Sequence, residues 1–493
     1  MTTTRSYVRY HPGLMTDLYH PDAMYVAWRE GQNGLATFDL YARRAPFGGA
    51  YMLAAGIETA LEFVREFRYD PDDLEYLARI RDYSPDFLDY LGSLHFTGDI
   101  AAVREGEIVF PGEPFLRVTA PFCEALVLES GLLQAINLAT LIATKAARVV
   151  YAAQGRRVAE FALRRAQEPF VTTRSAHIGG CSSTSFLAAA YKFSLFATGS
   201  IPHALVQLFD DEEQAFAAVA EAYSRYTLLL DTYDVRRAVH IAAKVAKRYE
   251  AEIGHTLVAV RIDSGDLVAE TQYVRKALDE AGLTEVRILL SNELDEWAIA
   301  ELLERGAVFD AVGVGTRLGV GSGSAHHQIE GGFLGGIYKL VNYVTPDGAE
   351  IPKLKVAGEK STWPGVKEVY RMGSFEYDLI ALAKEPPPEG GRRLLRPVVR
   401  GGKVVPGSLP PLGEIWEHAQ LNLRALPAKW RALKVTEEYP VRCSEALIRL
   451  RDEAAARHDA VAALDWRNGQ RVESRRQSAP PEAPARALPE AEQ

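Results

Sequence analysis

From Val158 to about Val341 short apolar runs alternate with helical stretches, and this alternation limits the fold more than any other feature of the chain. The candidate strands are Val158–Leu163, Leu195–Ile201, Thr227–Asp231, Thr256–Asp263, Val286–Ser291, Ala311–Gly315 and Gly336–Val341. Helical patterns at Asp211–Tyr223, Val235–Tyr249, Leu267–Ala281 and Asp295–Gly306 separate most of them. A spacing of roughly 25–40 residues is that of right-handed βα units, so the expected class is α/β. Seven candidates predict a closed or nearly closed, TIM-like barrel ahead of an open sheet, although the period alone does not decide. In both architectures the site lies at the carboxyl ends of the strands.

Polar residues gather at those ends. In order they are Arg164-Arg165, His203, Asp231, Asp263, Ser291-Asn292 and Gly315-Thr316. Chance would scatter them along the strands. The segment Thr256–Asp266 shows the junction most plainly. An apolar run leads into Arg261-Ile262-Asp263 and breaks at Ser264-Gly265 before a helix opens at Asp266. Free backbone N–H groups and the positive end of a helix dipole make such a junction suit a phosphate or a metal-phosphate.

Composition narrows the partners. Lys+Arg 56 against Asp+Glu 65 gives −9, which argues against general nucleic-acid binding. Cys123, Cys181 and Cys443 lie far apart, without a disulfide framework or a CxxC spacing for zinc, as expected of a reducing compartment. The first residues, MTTTRSYVRYHPG, lack the apolar core of a secretory signal. The apolar stretch Ala125–Ala153 carries Glu129, Lys145 and Arg148, so it reads as an amphipathic helix and not as a membrane span. The expected location is cytoplasmic.

Outside the βα series the texture changes. Residues 13–30 predict a helix capped by Thr16 or Asp17, and Ala36–Arg43 a strand running into the turn Pro46–Gly49. Phe96–Thr119 reads as short hairpins, followed by one long helix, roughly Glu124–Ala153. After Val341 come a basic loop (Lys353, Lys355, Lys360 and Lys367), further strands and two helices. The expected domains are an N-terminal α+β unit with a hairpin sheet (1–135) and an α/β barrel carrying the site (136–345). A C-terminal segment (346–465) completes the smaller unit, and a Pro/Ala/Glu-rich disordered tail follows (466–493).

Twelve ordered segments give the chain a family resemblance over about residues 14 to 451. They include LMTDLY (14–19), FDLYARRAPFGGAYMLAAG (38–56), FTGDIAAVREGEIVFPGEPFLRV (96–118), NLATLIATKAARVV (137–150) and EFALRRAQ (160–167). They continue through LLDTYD (229–234), RIDSGDL (261–267), SNELDE (291–296), GVGTRLG (313–319), GIYKLV (336–341), KSTWPGVKEVYR (360–371) and YPVRCSEAL (439–447). In these segments the chain resembles the nicotinate phosphoribosyltransferases, of type II phosphoribosyltransferase fold. The resemblance implies joining of nicotinate to 5-phosphoribosyl 1-pyrophosphate with release of pyrophosphate. It further implies ATP hydrolysis through a transient phosphohistidine, Mg²⁺, an irregular α/β barrel beside a smaller sheet domain, and a homodimer with shared sites. Neither nucleic acid nor membrane is an expected partner.

Residue by residue, the resemblance makes His203, in the turn Gly199–Ala204, the phosphorylated histidine, whereas an isolated histidine is more often structural. Asp231 and Asp263 each open a D-x-x-D spacing, with Asp234 and Asp266. Such acids are commonly helix caps. By resemblance the first pair touches the ribose hydroxyls and the Mg²⁺-pyrophosphate, and Arg261 adds a cation. The phosphoribosyl group would further meet Ser264, Gly265, Ser291 and Asn292, with Gly313, Gly315 and Thr316 forming the 5′-phosphate turn. Lys145 and Arg148, at helical spacing, are equally well packing positions. A flat aromatic carboxylate calls for a ring face and a guanidinium fork, which Phe161, Arg164 and Arg165 can present. The resemblance adds Tyr19 of the partner subunit on the other ring face, with Thr184 and Ser185 nearby. Ser185 stands where nicotinamide-using relatives carry Asp, and lack of that carboxylate favours the acid substrate. The competing readings are a nicotinamide phosphoribosyltransferase and a ligand-binding regulator of the same fold that has lost catalysis.

Overall fold

The computed structural model describes residues 11–355 and 362–457; Lys360 of the basic loop and the expected tail 466–493 lie outside them. Helix α1 (Tyr19–Arg29) begins later than the sequence pattern predicts, and neither Thr16 nor Asp17 caps it. Both side chains are engaged elsewhere. The Thr16 hydroxyl lies 2.7 Å from His20 Nδ1 and donates to Val127 O, and Asp17 accepts from the Ser130 hydroxyl at 2.5 Å. Strands β1 (Leu35–Ala42), β2 (Asp99–Ala102) and β3 (Pro114–Pro121) then build the antiparallel sheet read from the hairpin texture.

Helix α2 (Glu129–Ala152) joins the two halves of the molecule. Its Leu132 and Ile136 enter the core under the antiparallel sheet, while Ile142, Ala146 and Val149 enter the core of the parallel one. Burial on all sides explains why so apolar a helix needs no bilayer. The stretch Phe122–Ala152 is long and apolar enough to cross a membrane, but most of it is packed inside the fold.

The parallel sheet contains β4 (Arg157–Glu160), β5 (Ser183–Thr184), β6 (Arg225–Leu229), β7 (Thr256–Ile262), β8 (Arg287–Leu290) and β9 (Ala311–Val314). Its order is β5-β4-β9-β8-β7-β6. Among the described residues no pairing joins β5 to β6, so the sheet curls into a half-barrel and does not close. The helices α3 (Val235–Ile253), α4 (Leu267–Glu280) and α5 (Glu296–Glu304) follow β6, β7 and β8. Each is capped by an acid, Asp234, Asp266 and Asp295 respectively, whose side chain accepts backbone N–H groups of the first turn.

Two expected barrel strands fall elsewhere. Residues 195–201 form no strand; Ala197 makes one isolated parallel bridge to Thr184. Gly336–Val341 lies within β10 (Gly336–Val344), which pairs antiparallel with β1 in the seven-stranded sheet. Its apolar alternation fits either sheet, and pairing with β1 brings Phe38 and Tyr338 into a stack at 4.7 Å.

Candidate active site

The carboxyl ends of β6, β7 and β8 bring together Asp231, Asp263 and Ser291, as the order of polar residues predicts. Asp231 Oδ2 accepts the Asp263 backbone N–H at 3.1 Å and the Ser264 hydroxyl at 2.6 Å. Its Oδ1 is buried and has no hydrogen-bond partner. Arg261 fans its guanidinium over the same ground. Nε donates to Ser291 Oγ at 2.6 Å, one terminal nitrogen to Ser200 Oγ at 3.1 Å, and the other lies 3.1 Å from Asp263 Oδ2. Burial raises the Asp263 carboxyl, but the Ser291 hydrogen bond and the charges of Arg261 and His203 outweigh it and hold the group below its ordinary value.

His203 opens the short helix His203–Gln207 beside this pair. Its Nδ1 is 3.2 Å from the Thr232 hydroxyl, and its Nε2 is 3.9 Å from Asp263 Oδ2. The imidazole is 40% exposed and the Asp263 side chain 29%, so both can meet a ligand from solvent. The second acids of the two D-x-x-D spacings do not join them. Asp234 and Asp266 are helix caps, as such acids commonly are. Ser200 and Thr232 are site residues that sequence reasoning misses; their only signal is adjacency to His203 and Asp231.

Gly313 is the last residue but one of β9, and Gly315 and Thr316 follow the strand, Thr316 opening the short helix Thr316–Gly319. A Cβ on Gly313 would meet the Phe161 ring at 2.2 Å, so glycine there allows the aromatic ring to lie against the strand. The Thr316 hydroxyl donates to Glu293 Oε1 at 3.1 Å, linking this turn to the loop after β8. In that loop Asn292 adopts φ 140°, a conformation L residues rarely take, and its Oδ1 accepts the Glu293 N–H at 2.7 Å. Gly265, at φ 84°, completes the tight turn after Asp263 and Ser264.

Phe161, Arg164 and Arg165 lie in the turn after β4, with Phe161 half-buried and both arginines exposed. Thr184 is buried. Its hydroxyl donates to Glu160 Oε2 at 2.5 Å and accepts the Phe186 N–H at 3.0 Å, so it shapes this end of the sheet. Ser185 is half-buried and donates its N–H to Glu160 O at 3.0 Å. Lys145 and Arg148 are fully buried on α2, where Lys145 Nζ and Arg148 Nε, the latter at 3.1 Å, both pair with Glu296. Tyr19 stands at the start of α1, 56% exposed, with its ring 4.1 Å from that of His20 and outside the strand-end cluster.

Residues 14–137 match the family model described as the nicotinate phosphoribosyltransferase (NAPRTase) N-terminal domain. A nicotinate phosphoribosyltransferase of Mycobacterium tuberculosis is 37% identical over 449 residues, covering 90% of this chain and 94% of its own. The chain belongs to the nicotinate phosphoribosyltransferase family. The Bacillus subtilis nicotinate phosphoribosyltransferase is also 37% identical, with 88% of this chain and 93% of its own length covered. The crystal structure of human nicotinic acid phosphoribosyltransferase matches with a TM-score of 0.76 at 30% identity, covering 89% of this chain and all of that one. Membership of the nicotinate phosphoribosyltransferase family accords with the parallel half-barrel; the antiparallel sheet beside it, with seven strands to its six, is not the smaller sheet expected.

Proposed function

We propose that the chain forms nicotinate mononucleotide and pyrophosphate from nicotinate and 5-phosphoribosyl 1-pyrophosphate, a step of NAD salvage. The observation that carries this reading is the convergence of Arg261, Asp231, Asp263, Ser291 and His203 at the strand ends of a member of this family. In the reaction the pyridine nitrogen attacks C1 of the ribose. The C1–O bond to pyrophosphate breaks, and the pyrophosphate leaves with the bonding electrons. Arg261 meets the departing charge, while Asp231 and Asp263 hold the ribose hydroxyls. The turn at Gly313, Gly315 and Thr316, with Ser264, Gly265 and Asn292, cradles the phosphate groups. Phe161 offers a ring face and Arg164 or Arg165 the partner for the nicotinate carboxylate, with Ser185 beside them in place of a carboxylate that would repel it.

The residues present fit Mg²⁺. Asp231 Oδ1 is buried without a partner, and Asp263 lies next to it. Mg²⁺ characteristically takes one or two carboxylates and completes its shell with water and substrate phosphates. When bound it would neutralise charge on the pyrophosphate. No cluster of three or more His, Cys, Asp or Glu side chains suited to an all-protein metal cage occurs among the described residues.

His203 is the group for ATP coupling. Nδ1 is held against the Thr232 hydroxyl, so in the neutral tautomer that carries its proton on Nδ1 the lone pair of Nε2 attacks the γ-phosphate; the bond to ADP breaks, and water later cleaves the phosphohistidine. A homodimer in which a second copy brings Tyr19 to the site belongs to the same reading, and Tyr19, 56% exposed, is open to such a contact. A cytoplasmic location accords with this substrate set.

Pyrophosphate release measured with nicotinate or nicotinamide, with and without ATP, tests the reading. Turnover with nicotinate alone, raised by ATP, supports it. Turnover with nicotinamide alone would overturn the argument from Ser185, and turnover with neither base would favour the ligand-binding regulator.

A further inference from the structure

Glu160 ends β4 with its side chain buried. Its carboxylate is shared by three separate pieces of chain. One oxygen accepts the Ala162 N–H, at the start of the turn that carries Arg164 and Arg165. The other accepts the hydroxyl of Thr173, from the helix Pro169–Ile178, at 2.9 Å and that of Thr184, from β5, at 2.5 Å. The backbone of Glu160 adds a fourth tie, because its carbonyl accepts the Ser185 N–H at 3.0 Å. Phe161 follows directly, donates its N–H to Val314 O at 2.9 Å, and lays its ring where a side chain on Gly313 would be.

An apolar side chain of similar volume would fill this space without the cost of desolvating a carboxylate. What it could not do is fix the direction of three donors on three elements. We propose that Glu160 is a positioning residue: it holds the Phe161–Arg165 turn and the Thr184–Ser185 strand end in one mutual geometry, so that ring face, guanidinium and hydroxyl meet a single aromatic acid together. The proposal rests on the nicotinate reading of that site. Glu160 touches no substrate atom in this scheme and acts through the groups it orients.

The test is steady-state kinetics of the full chain and of Glu160→Gln, which keeps the shape but turns one acceptor into a donor facing other donors. The KM for nicotinate rises about tenfold, the effect of roughly one lost buried acceptor. The KM for 5-phosphoribosyl 1-pyrophosphate and kcat at saturating nicotinate stay within about twofold, since binding geometry at the base alone is altered. Thr173→Val, which removes one donor outside the base site, moves the nicotinate KM in the same direction by about threefold, and it decides the matter if the first variant does not fold. An unmoved nicotinate KM overturns the proposal, and so does an equal rise in both KM values, which is what a general brace would give. A wild-type chain that does not use nicotinate removes the base-site reading itself; a normal wild type with unaffected variants removes Glu160 alone.

Discussion

Asp231 reaches across to the neighbouring strand end and holds Asp263 by its backbone: the Asp231 carboxylate accepts the Asp263 N–H at 3.1 Å. The same oxygen takes the Ser264 hydroxyl, which leaves the second oxygen buried and free of hydrogen bonds. One carboxylate thus sets the position of the next loop and still offers an acceptor to a ligand. The division of labour within each D-x-x-D spacing follows, with the first acid facing the site and the second capping a helix.

Replacing Asp231 by Asn keeps the shape but presents a donor either to the Asp263 loop or to the ligand. A loss of about 10²–10³ in kcat/KM is expected, the scale of a misplaced or missing electrostatic contact. Steady-state kinetics beside a thermal melt checks this. A melt lowered by many degrees would assign the loss to folding instead.

His203→Ala should abolish the increment that ATP adds to turnover and the acid-labile phosphate that the protein gains from γ-labelled ATP. Asp263 and Thr232 flank the imidazole, and neither can replace it as a nitrogen nucleophile. Labelling that persists in the variant would place the phosphate on another residue.

The strand ends were legible in the sequence because apolar β runs stop abruptly where a ligand must be met. Asp231, Asp263, Ser291 and Gly315 all fall at those breaks. Pairing partners were not legible. The alternation in β10 is the same whether it lies in a barrel or beside β1, and only the completed antiparallel sheet selects β1. Lys145 and Arg148 likewise read as three residues apart on a helix, with nothing to announce that Glu296, far along the sequence, pairs with both. Glu160 was hidden for a related reason, since two of its three donors, Thr173 and Thr184, come from segments that meet it only in the fold.

Glu296 carries a stability prediction. Burial pushes the Lys145 ammonium toward its neutral form, and the charge of Glu296 opposes that push. Glu296→Ala removes the counter-charge that Lys145 and Arg148 share and leaves Arg148 a buried unpaired cation while favouring neutral Lys145, so a loss of about 3–5 kcal/mol is expected from denaturant unfolding. Replacing all three residues with apolar ones of similar volume should recover much of it. A single variant as stable as the wild type would show that water reaches the pair.

A second buried network makes stability depend on acid. Glu107 is buried, which alone would raise its pKa, but the hydrogen bonds of His418 and Arg392 and the charge of Arg371 lower it from 4.5 to about 2. The folded state therefore binds this proton less tightly than the unfolded chain does. Its contribution, about 3 kcal/mol, is complete above the ordinary value of 4.5 and is lost as pH falls through about 2. The stability gap between the wild type and Glu107→Gln should be widest near neutral pH and should narrow by roughly 1.4 kcal/mol per pH unit below 4.5. Urea midpoints from pH 7 to 3 measure the gap directly. A gap that kept constant width from pH 4.5 down to 3 would mean that Glu107 acts through packing alone, with its charge playing no part.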